Sequence, residues 1–420
     1  MTIDYTSELA KMGSAARTAA RKLALLQGPQ KNRCLEAMAD ELQDQIESIL
    51  EANEIDMQNA RKNGLSSAML DRLQLDEDRL AEMAKGLRTL VGLEDPTGRV
   101  DSTWLRPNGL KIRKVRVPIG VISIIYEARP NVTADAAGLC LKAGNAVFLR
   151  GGSESINSNK AIVKALKDGI RKSDMSPEII QLMPWTERQA VNALLKMDHY
   201  IDLIIPRGGE GLIRKVVATS TIPVIKHYKG VCHVYVDKNA DQDMALKIVE
   251  NAKCQRPGVC NAVETVLIHR EIAQEFVPKM AGVLLEKGVE LRGDSAFCEL
   301  VPQAKPATDE DWTAEYLDLI LAVRIVDSME TAVQHISDYG SAHSEAIVTE
   351  NRNTATYFQE AVDAAAVYVN ASTRFTDGGE FGMGAEIGVS TDRIHARGPM
   401  GLDELTSYKY VISGSGQIRT

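Results

Sequence analysis

Apolar positions recur every three and four residues between 5 and 95, most clearly in LEAMADELQDQIESILEANEIDMQNARKNG, where a terminal glycine closes the run. That spacing puts the apolar side chains on one face of a helix, so an N-terminal helical layer is predicted. From about residue 101 the period shortens to two. GLKIRKVRVPIG alternates apolar with basic residues and leads into VISIIY, a short Ile- and Val-rich run that reads as a strand. Strands and helices then take turns: AVFLRG, EIIQLMP, IDLIIPRGG, PVIKHY and CHVYVD are strand-like, and INSNKAIVKALKDGIRK, ERQAVNALLKM and LIRKVVATS between them are helical. A second series starts near residue 254, with ETVLIH, RIVDS, EAIVTE and VYVN as strands and EIAQEFVPKMAGVLLEKG, METAVQHISD and TATYFQEAVDAA as helices. Such alternation predicts an α/β fold with mostly parallel sheets, helices on both faces, and ligands beyond the carboxyl ends of the strands. The polar, β-prone end ELTSYKYVISGSGQIRT is expected to pair with LKIRKVRV near residue 110, within the chain or across subunits.

Composition narrows the class. At 420 residues the chain exceeds the ~250 to 300 at which one core stops growing, so two or three domains are expected. Apolar residues at 44% and charged residues at 25% are those of an ordinary globular protein. The net charge of −8, with basic residues spread along the chain, argues against a nucleic-acid or anionic-membrane partner. The N-terminus carries no signal-like apolar segment, and no uninterrupted apolar run approaches ~18 residues, so a cytoplasmic location is expected. Six cysteines without a C-x-x-C pair suggest reduced thiols rather than a zinc site or a disulfide framework. The histidines include no H-E-x-x-H, and His227 and His233, six apart in a strand-like segment, are not a metal signature. No metal is expected.

Three short stretches could carry chemistry. In IDLIIPRGGEGLIRK a strand runs through Arg207, Gly208 and Gly209 into a helix, where backbone amides and the helix dipole favour an anionic phosphate; a G-G-x-G turn is equally often a plain loop. There is no G-x-G-x-x-G. In AVFLRGGSES, Arg150 ends a strand beside glycines and could pair with a ribose phosphate, the alternative being a solvated surface cation. In AKCQRPGVCNAVETVLIHR, Cys260 follows Pro257 and Gly258 on a turn, whereas Cys254 closes the probable helix MALKIVENAKC. Of the six thiols Cys260 has the most nucleophile-like setting, with Arg256 or local amides available to lower its pKa; a buried, inert cysteine is the commoner fate.

Read together, VPIGVISIIYEARPNVTADAAGLCLKAGNAVFLRGGSE, HYKGVCHVYVD, RPGVCNAVET, HISDYGSAHSEAI, VYVNASTRFTDGGEFGMGAEIGVST and RGPMGLDELTSYKYVISGSGQIR resemble the aldehyde dehydrogenase superfamily, and within it the branch that reduces glutamyl phosphate. The resemblance spans nearly the whole chain. It implies an NADP(H)-binding domain of residues 1–102 and 121–253, a catalytic domain of 254–385, and an oligomerisation hairpin of 103–120 and 403–420. It implies NADPH-dependent reduction of L-glutamyl 5-phosphate to L-glutamate 5-semialdehyde, the second step of proline biosynthesis, through a thioester on Cys260. It further implies that Asn131 supplies an oxyanion-hole amide, that Arg150 stands where the family holds the adenosine ribose, and that Glu315 holds the nicotinamide ribose. Arg374 and Arg256 are rival candidates for gripping the substrate's far end. A homo-oligomer is implied, and the substrate would come from a separate glutamate 5-kinase with which the chain could associate. Where oxidising relatives carry a water-activating glutamate in ELGGK, this chain reads HYKGV, with His227 in the glutamate's place. A reductase gains by lacking that base, because hydrolysis would discard the activated acyl group. The rival readings are an ordinary or CoA-acylating aldehyde dehydrogenase and a non-catalytic scaffold that keeps the fold. The missing base speaks against the first, and the presence of Cys260 and Asn131 against the second.

Overall fold

The structure, a computed structural model, describes residues 3–419, and among these the chain forms two compact units. The first comprises residues up to 226 together with 382–388 and 400 onward; the second comprises 227–381 and 389–399. No helix of the described residues is long and apolar enough to cross a membrane.

The first unit opens with the predicted helical layer, Tyr5–Leu23, Gly28–Asp44, Ile46–Lys62, Ser67–Leu73 and Glu77–Val91. Asp4 caps the first helix by accepting from the amides of Thr6 and Ser7. Helix Gly28–Asp44 packs on Ile156–Lys172. They cross closely because a Cβ at Gly169 would come within 2.6 Å of the Met38 backbone. Behind this layer lies a four-stranded parallel sheet in the order Ile180–Leu182, Ala146–Arg150, Val121–Tyr126, Leu203–Arg207. VISIIY is buried at every position because helices cover both faces, which is why it shows no alternation. Leu9, Val121, Ile125, Phe148, Leu194 and Ile204 share one core.

The strand expected at PVIKHY does not form. Its only ladder contact is an isolated bridge from Val224 to Ile204, and the segment is otherwise irregular. The C-terminal pairing is within the chain: Val100–Leu105, Lys111–Pro118 and Thr406–Ser413 make a three-stranded antiparallel sheet, with Tyr410 opposite Lys114. Tyr408, Tyr410 and Ile412 stand exposed on its last strand.

The second unit is built on a seven-stranded parallel sheet in the order Lys305–Pro306, Glu290–Gly293, Ile320–Val326, Val263–His269, Cys232–Val236, Ser344–Val348, Ala366–Val369. Along Val263–His269, Val266 and Ile268 enter one core with Val249, Phe276 and Met280, while Leu267 enters another with Tyr235, Ile336 and Phe358. Both faces are therefore dry. This sheet also moves the boundary drawn from the sequence. CHVYVD was grouped with the first series up to 253, but Cys232–Val236 pairs with Val263–His269 and Ser344–Val348, so the units divide between 226 and 227.

Candidate active site

In the second unit the helix Gln242–Cys254 ends, the chain turns through Pro257 and Gly258, and Cys260 comes three residues before the strand that begins at Val263. Cys260 is half-buried, and its carbonyl is clamped from behind. The Cys232 thiol donates to it at 3.3 Å. Gly230 lies so close that an added Cβ would overlap this carbonyl, 2.6 Å from its carbon. Gly230 is itself held by its amide, which donates to Glu315 Oε1 at 2.8 Å, and Val231 N donates to Ser341 Oγ at 2.9 Å. His343 completes the support. Its Nδ1 lies 3.7 Å from Cys232 Sγ and 2.9 Å from Ser344 Oγ, and its ring meets that of His227 edge-on at 5.8 Å. Burial pushes His343 down to about 4, so it stays neutral near pH 7.

Burial also raises the thiols of Cys34, to about 12, and of Cys140, Cys232, Cys254 and Cys298, so all five are predominantly protonated near neutral pH. Cys254, at the end of its helix, is half-buried beside Lys287 and Glu250.

Arg374 belongs to the same neighbourhood. Its Nη1 donates to Asn261 Oδ1, and its Nε donates to Gln255 Oε1 at 2.9 Å. Burial lowers its pKa, and the nearby positive charge of Arg256 lowers it further. The structure thus brings Cys260, Arg374 and Arg256 into one neighbourhood, with Arg256 exposed and Arg374 half-buried. Glu315 spends one oxygen on Gly230.

The remaining candidates lie in the first unit, described by itself. Asn131 is the first residue of helix Asn131–Lys142, exposed, and its Nδ2 donates to Asp135 Oδ2 one turn on at 3.1 Å. Burial pushes the Asp135 carboxyl up to about 6, opposed by the Asn131 hydrogen bond and by Arg207. Arg150 ends the strand Ala146–Arg150 with its Nε buried and unpartnered, and burial draws its pKa down against the pull of Glu154 and Glu127. A buried orphan donor on a cation suits an anionic ligand such as a phosphate. Gly208 and Gly209 precede helix Glu210–Thr219, but Glu127 Oε2 already accepts from the Gly209 amide at 2.9 Å. A phosphate reaching that amide must displace Glu127.

Cys232, Gly230, Asn261, His343, Asp135 and Glu127 escaped the reading of the sequence as site residues. Asp135 alone had a local signal, its i,i+4 spacing from Asn131. The bonds of the others close over separations of 28 residues or more, which no local pattern encodes.

The aldehyde dehydrogenase family model matches residues 4–295. Over 412 residues the chain is 58% identical to the gamma-glutamyl phosphate reductase of Moorella thermoacetica, covering 98% of this chain and 99% of that one. It is 58% identical over 404 residues to that of Thermoanaerobacter pseudethanolicus, covering 96% and 98%. Among solved structures, the gamma-glutamyl phosphate reductase of Thermotoga maritima superposes with a TM-score of 0.97 at 47% identity, covering 98% of this chain and all of that one. An acetylating aldehyde dehydrogenase from Geobacillus thermoglucosidasius shares the fold at 15% identity, with a TM-score of 0.69. The chain is thus an oxidoreductase that belongs to the aldehyde dehydrogenase family and, within it, to the gamma-glutamyl phosphate reductases.

Proposed function

We propose that the chain reduces L-glutamyl 5-phosphate to L-glutamate 5-semialdehyde with NADPH, releasing phosphate, through a thioester on Cys260, as the second step of proline biosynthesis. The observation that carries this reading is near-complete coverage at 58% identity to reductases of that name, in a chain that holds Cys260 half-buried on a braced turn. In the first step the Cys260 thiolate attacks the acyl carbon, the C–S bond forms, and phosphate leaves with the C–O electron pair. The oxyanion of the tetrahedral intermediate needs preorganised donors, a role for the Asn131 amide and the Cys260 backbone N–H. Bound NADPH supplies the hydride that reduces the thioester carbonyl. Collapse of the resulting thiohemiacetal returns the Cys260 thiolate and frees the aldehyde. His227 in place of a carboxylate leaves water unactivated while the thioester waits.

Arg150, with its unpartnered buried Nε, is assigned to the 2′-phosphate of the cofactor. Gly208 and Gly209 are assigned to its diphosphate once Glu127 yields, and Glu315 to the nicotinamide ribose. Cofactor binding, apart from the ribose contact of Glu315, is assigned to the first unit and the thioester chemistry to the second, with residues 227–253 joining the latter. The antiparallel sheet that exposes Tyr408, Tyr410 and Ile412 is assigned to homo-oligomer contacts. A glutamate 5-kinase would supply the substrate.

The test runs the reaction backwards. Pyrroline-5-carboxylate, whose open form is the semialdehyde, should reduce NADP+ only when phosphate is present. Cys260→Ala should abolish this, whereas Cys254→Ala should leave it within a few-fold. Dependence on coenzyme A in place of phosphate, or loss of activity on changing Cys254, would sink the reading.

A further inference from the structure

We propose that Asn261, the residue after the nucleophile, is a positioning residue that aims Arg374 at an anionic group of the substrate. The proposal rests on the reaction assigned above and adds a residue to it.

Asn261 is 5% exposed, so its amide has no water to fall back on and its polar atoms must be met by protein. Each of its partners lies within residues 373–376, a short turn and the residue after it. Its Nδ2 donates to the carbonyls of Arg374 at 3.2 Å and Thr376 at 2.9 Å. Its Oδ1 accepts from Arg374 Nη1, and its main-chain carbonyl accepts from Thr373 Oγ1 at 2.7 Å. The turn, Thr373–Phe375, is capped by Ser372, whose hydroxyl accepts from Arg374 N at 3.3 Å, and Ser372, Thr373 and Thr376 are buried. One side chain therefore pins both the backbone that carries Arg374 and the guanidinium itself.

The guanidinium is oriented without being neutralised. Its two partners, Asn261 Oδ1 and Gln255 Oε1, are neutral amide oxygens. Among the described residues no carboxylate forms an ion pair with it, although Asp377 lies within its field, and the next cation, Arg256, repels it. Of the five N–H donors of an arginine, two are spent on orientation, and no hydrogen bond engages Nη2 among the described residues. A half-buried cation held rigid by neutral groups beside a nucleophile is preorganised for an anion, and its planar fork fits a carboxylate or a phosphoryl group. The substrate carries both.

Asn261→Ala should release the fork while Cys260 stays in place. In the phosphate-dependent reverse assay the KM for pyrroline-5-carboxylate or that for phosphate should rise about tenfold or more, the range of a lost charge-assisted contact. Whichever KM moves identifies the anion, carboxylate in the first case and phosphate in the second. Both kcat and the KM for NADP+ should stay within about threefold, as expected for lost ground-state and transition-state binding in equal measure. Arg374→Ala should raise the same KM, and the double variant should add little to it, because one change already removes what the other removes. Thr373→Val, which loses a single tether, should show the same effect in smaller degree and covers the case in which Asn261→Ala does not fold. A fall in kcat with both KM values unchanged, or full additivity of the two changes, would overturn the proposal. Absence of phosphate-dependent activity in the unaltered protein would instead count against the assigned reaction.

Discussion

The two parallel sheets present opposite ends to their candidate residues. In the first unit these follow the carboxyl ends: Arg150 closes Ala146–Arg150, Glu127 and Asn131 follow Val121–Tyr126, and Gly208 and Gly209 follow Leu203–Arg207. In the second most precede the amino ends: Gly230 comes before Cys232–Val236, Cys260 before Val263–His269, and His343 before Ser344–Val348, although Arg374 follows Ala366–Val369. The difference has a physical consequence. A carboxyl end feeds a helix N-terminus, where free amides and a positive dipole end favour anions, as at Asn131 and Glu210. An amino end instead follows a helix C-terminus, such as Cys254 or Tyr339, and has no such amides to offer. Cys260, the proposed nucleophile, is braced there by close backbone packing, a buried thiol and a neutral histidine. One end is suited to holding charged phosphates, the other to holding a carbonyl group still.

Tightness is the sharpest form of this contrast, and glycine substitutions test it. At Gly209 an added Cβ meets nothing closer than 4.0 Å, whereas at Gly230 it would sit 2.6 Å from the Cys260 carbonyl carbon and 2.7 Å from its Cα. Backbone must therefore move in Gly230→Ala. Overpacking of this kind costs about 1 to 3 kcal/mol of stability. A shift of order 1 Å at the nucleophile costs about a hundredfold in rate. We expect kcat to fall by about that factor and Tm to drop. Gly282→Ala, in the same unit but with open space around its Cβ, should leave kcat unchanged and raise Tm slightly through helix propensity. Equal behaviour of the two variants in a kinetic assay and a melting scan would break the comparison.

The sequence conveyed the two halves unequally, for the same reason. Strand C-termini running into glycines or a polar helix start are local patterns, so Arg150, Gly208 and Gly209 could be proposed from order alone. Cys260 was singled out among six thiols by its turn, but its braces come from three other strands or loops. Neither Cys232 nor His343 differs locally from a core residue, and only the sheet order places them together. The same sheet order misled the boundary. CHVYVD continues the first series in sequence while pairing in the second sheet, and nothing in its composition says which. PVIKHY failed because β-prone residues beside Pro223 form a single bridge to Ile204 and no ladder. Helices and all-apolar strands were legible because their period is fixed by burial on one face or on both.

On the carboxyl-end side the next largest effect concerns Arg150. If its unpartnered Nε marks a phosphate contact, Arg150→Ala should raise KM for NADPH about ten- to a hundredfold, the value of one charge-assisted hydrogen bond of ~1.5 to 3 kcal/mol. The KM for NADH should change little. Steady-state kinetics with both cofactors decides it, and an equal loss with each would move Arg150 away from the 2′-phosphate.

The smallest effect, and the most specific to the first unit, concerns Asp135. Its carboxyl is raised from 3.8 to about 6 by burial, while the Asn131 amide and Arg207 favour the charged form without fully offsetting that cost. Between those two values the folded chain binds more protons at this group than the unfolded chain does. Its contribution therefore weakens stability as pH rises from about 4 to about 6 and is constant above. Asp135→Asn removes the titration and leaves a neutral group of the same shape. The variant should melt higher than the unaltered protein at about pH 7.5, and the gap should close as pH is lowered toward 4. Catalysis should move the other way. The carboxylate accepts from Asn131 Nδ2 and so fixes which way that amide faces, whereas an amide at 135 can donate as well as accept and lets Asn131 flip. A loss of kcat of about three- to tenfold is expected at neutral pH, on the scale of one hydrogen bond worth ~0.5 to 1.5 kcal/mol. Melting temperatures and kcat measured across the same pH range separate the two effects. A variant that is less stable at neutral pH, or one whose stability difference does not vary with pH, would show that Asp135 is already ionised at little cost. It would then brace Asn131 as an ordinary surface carboxylate.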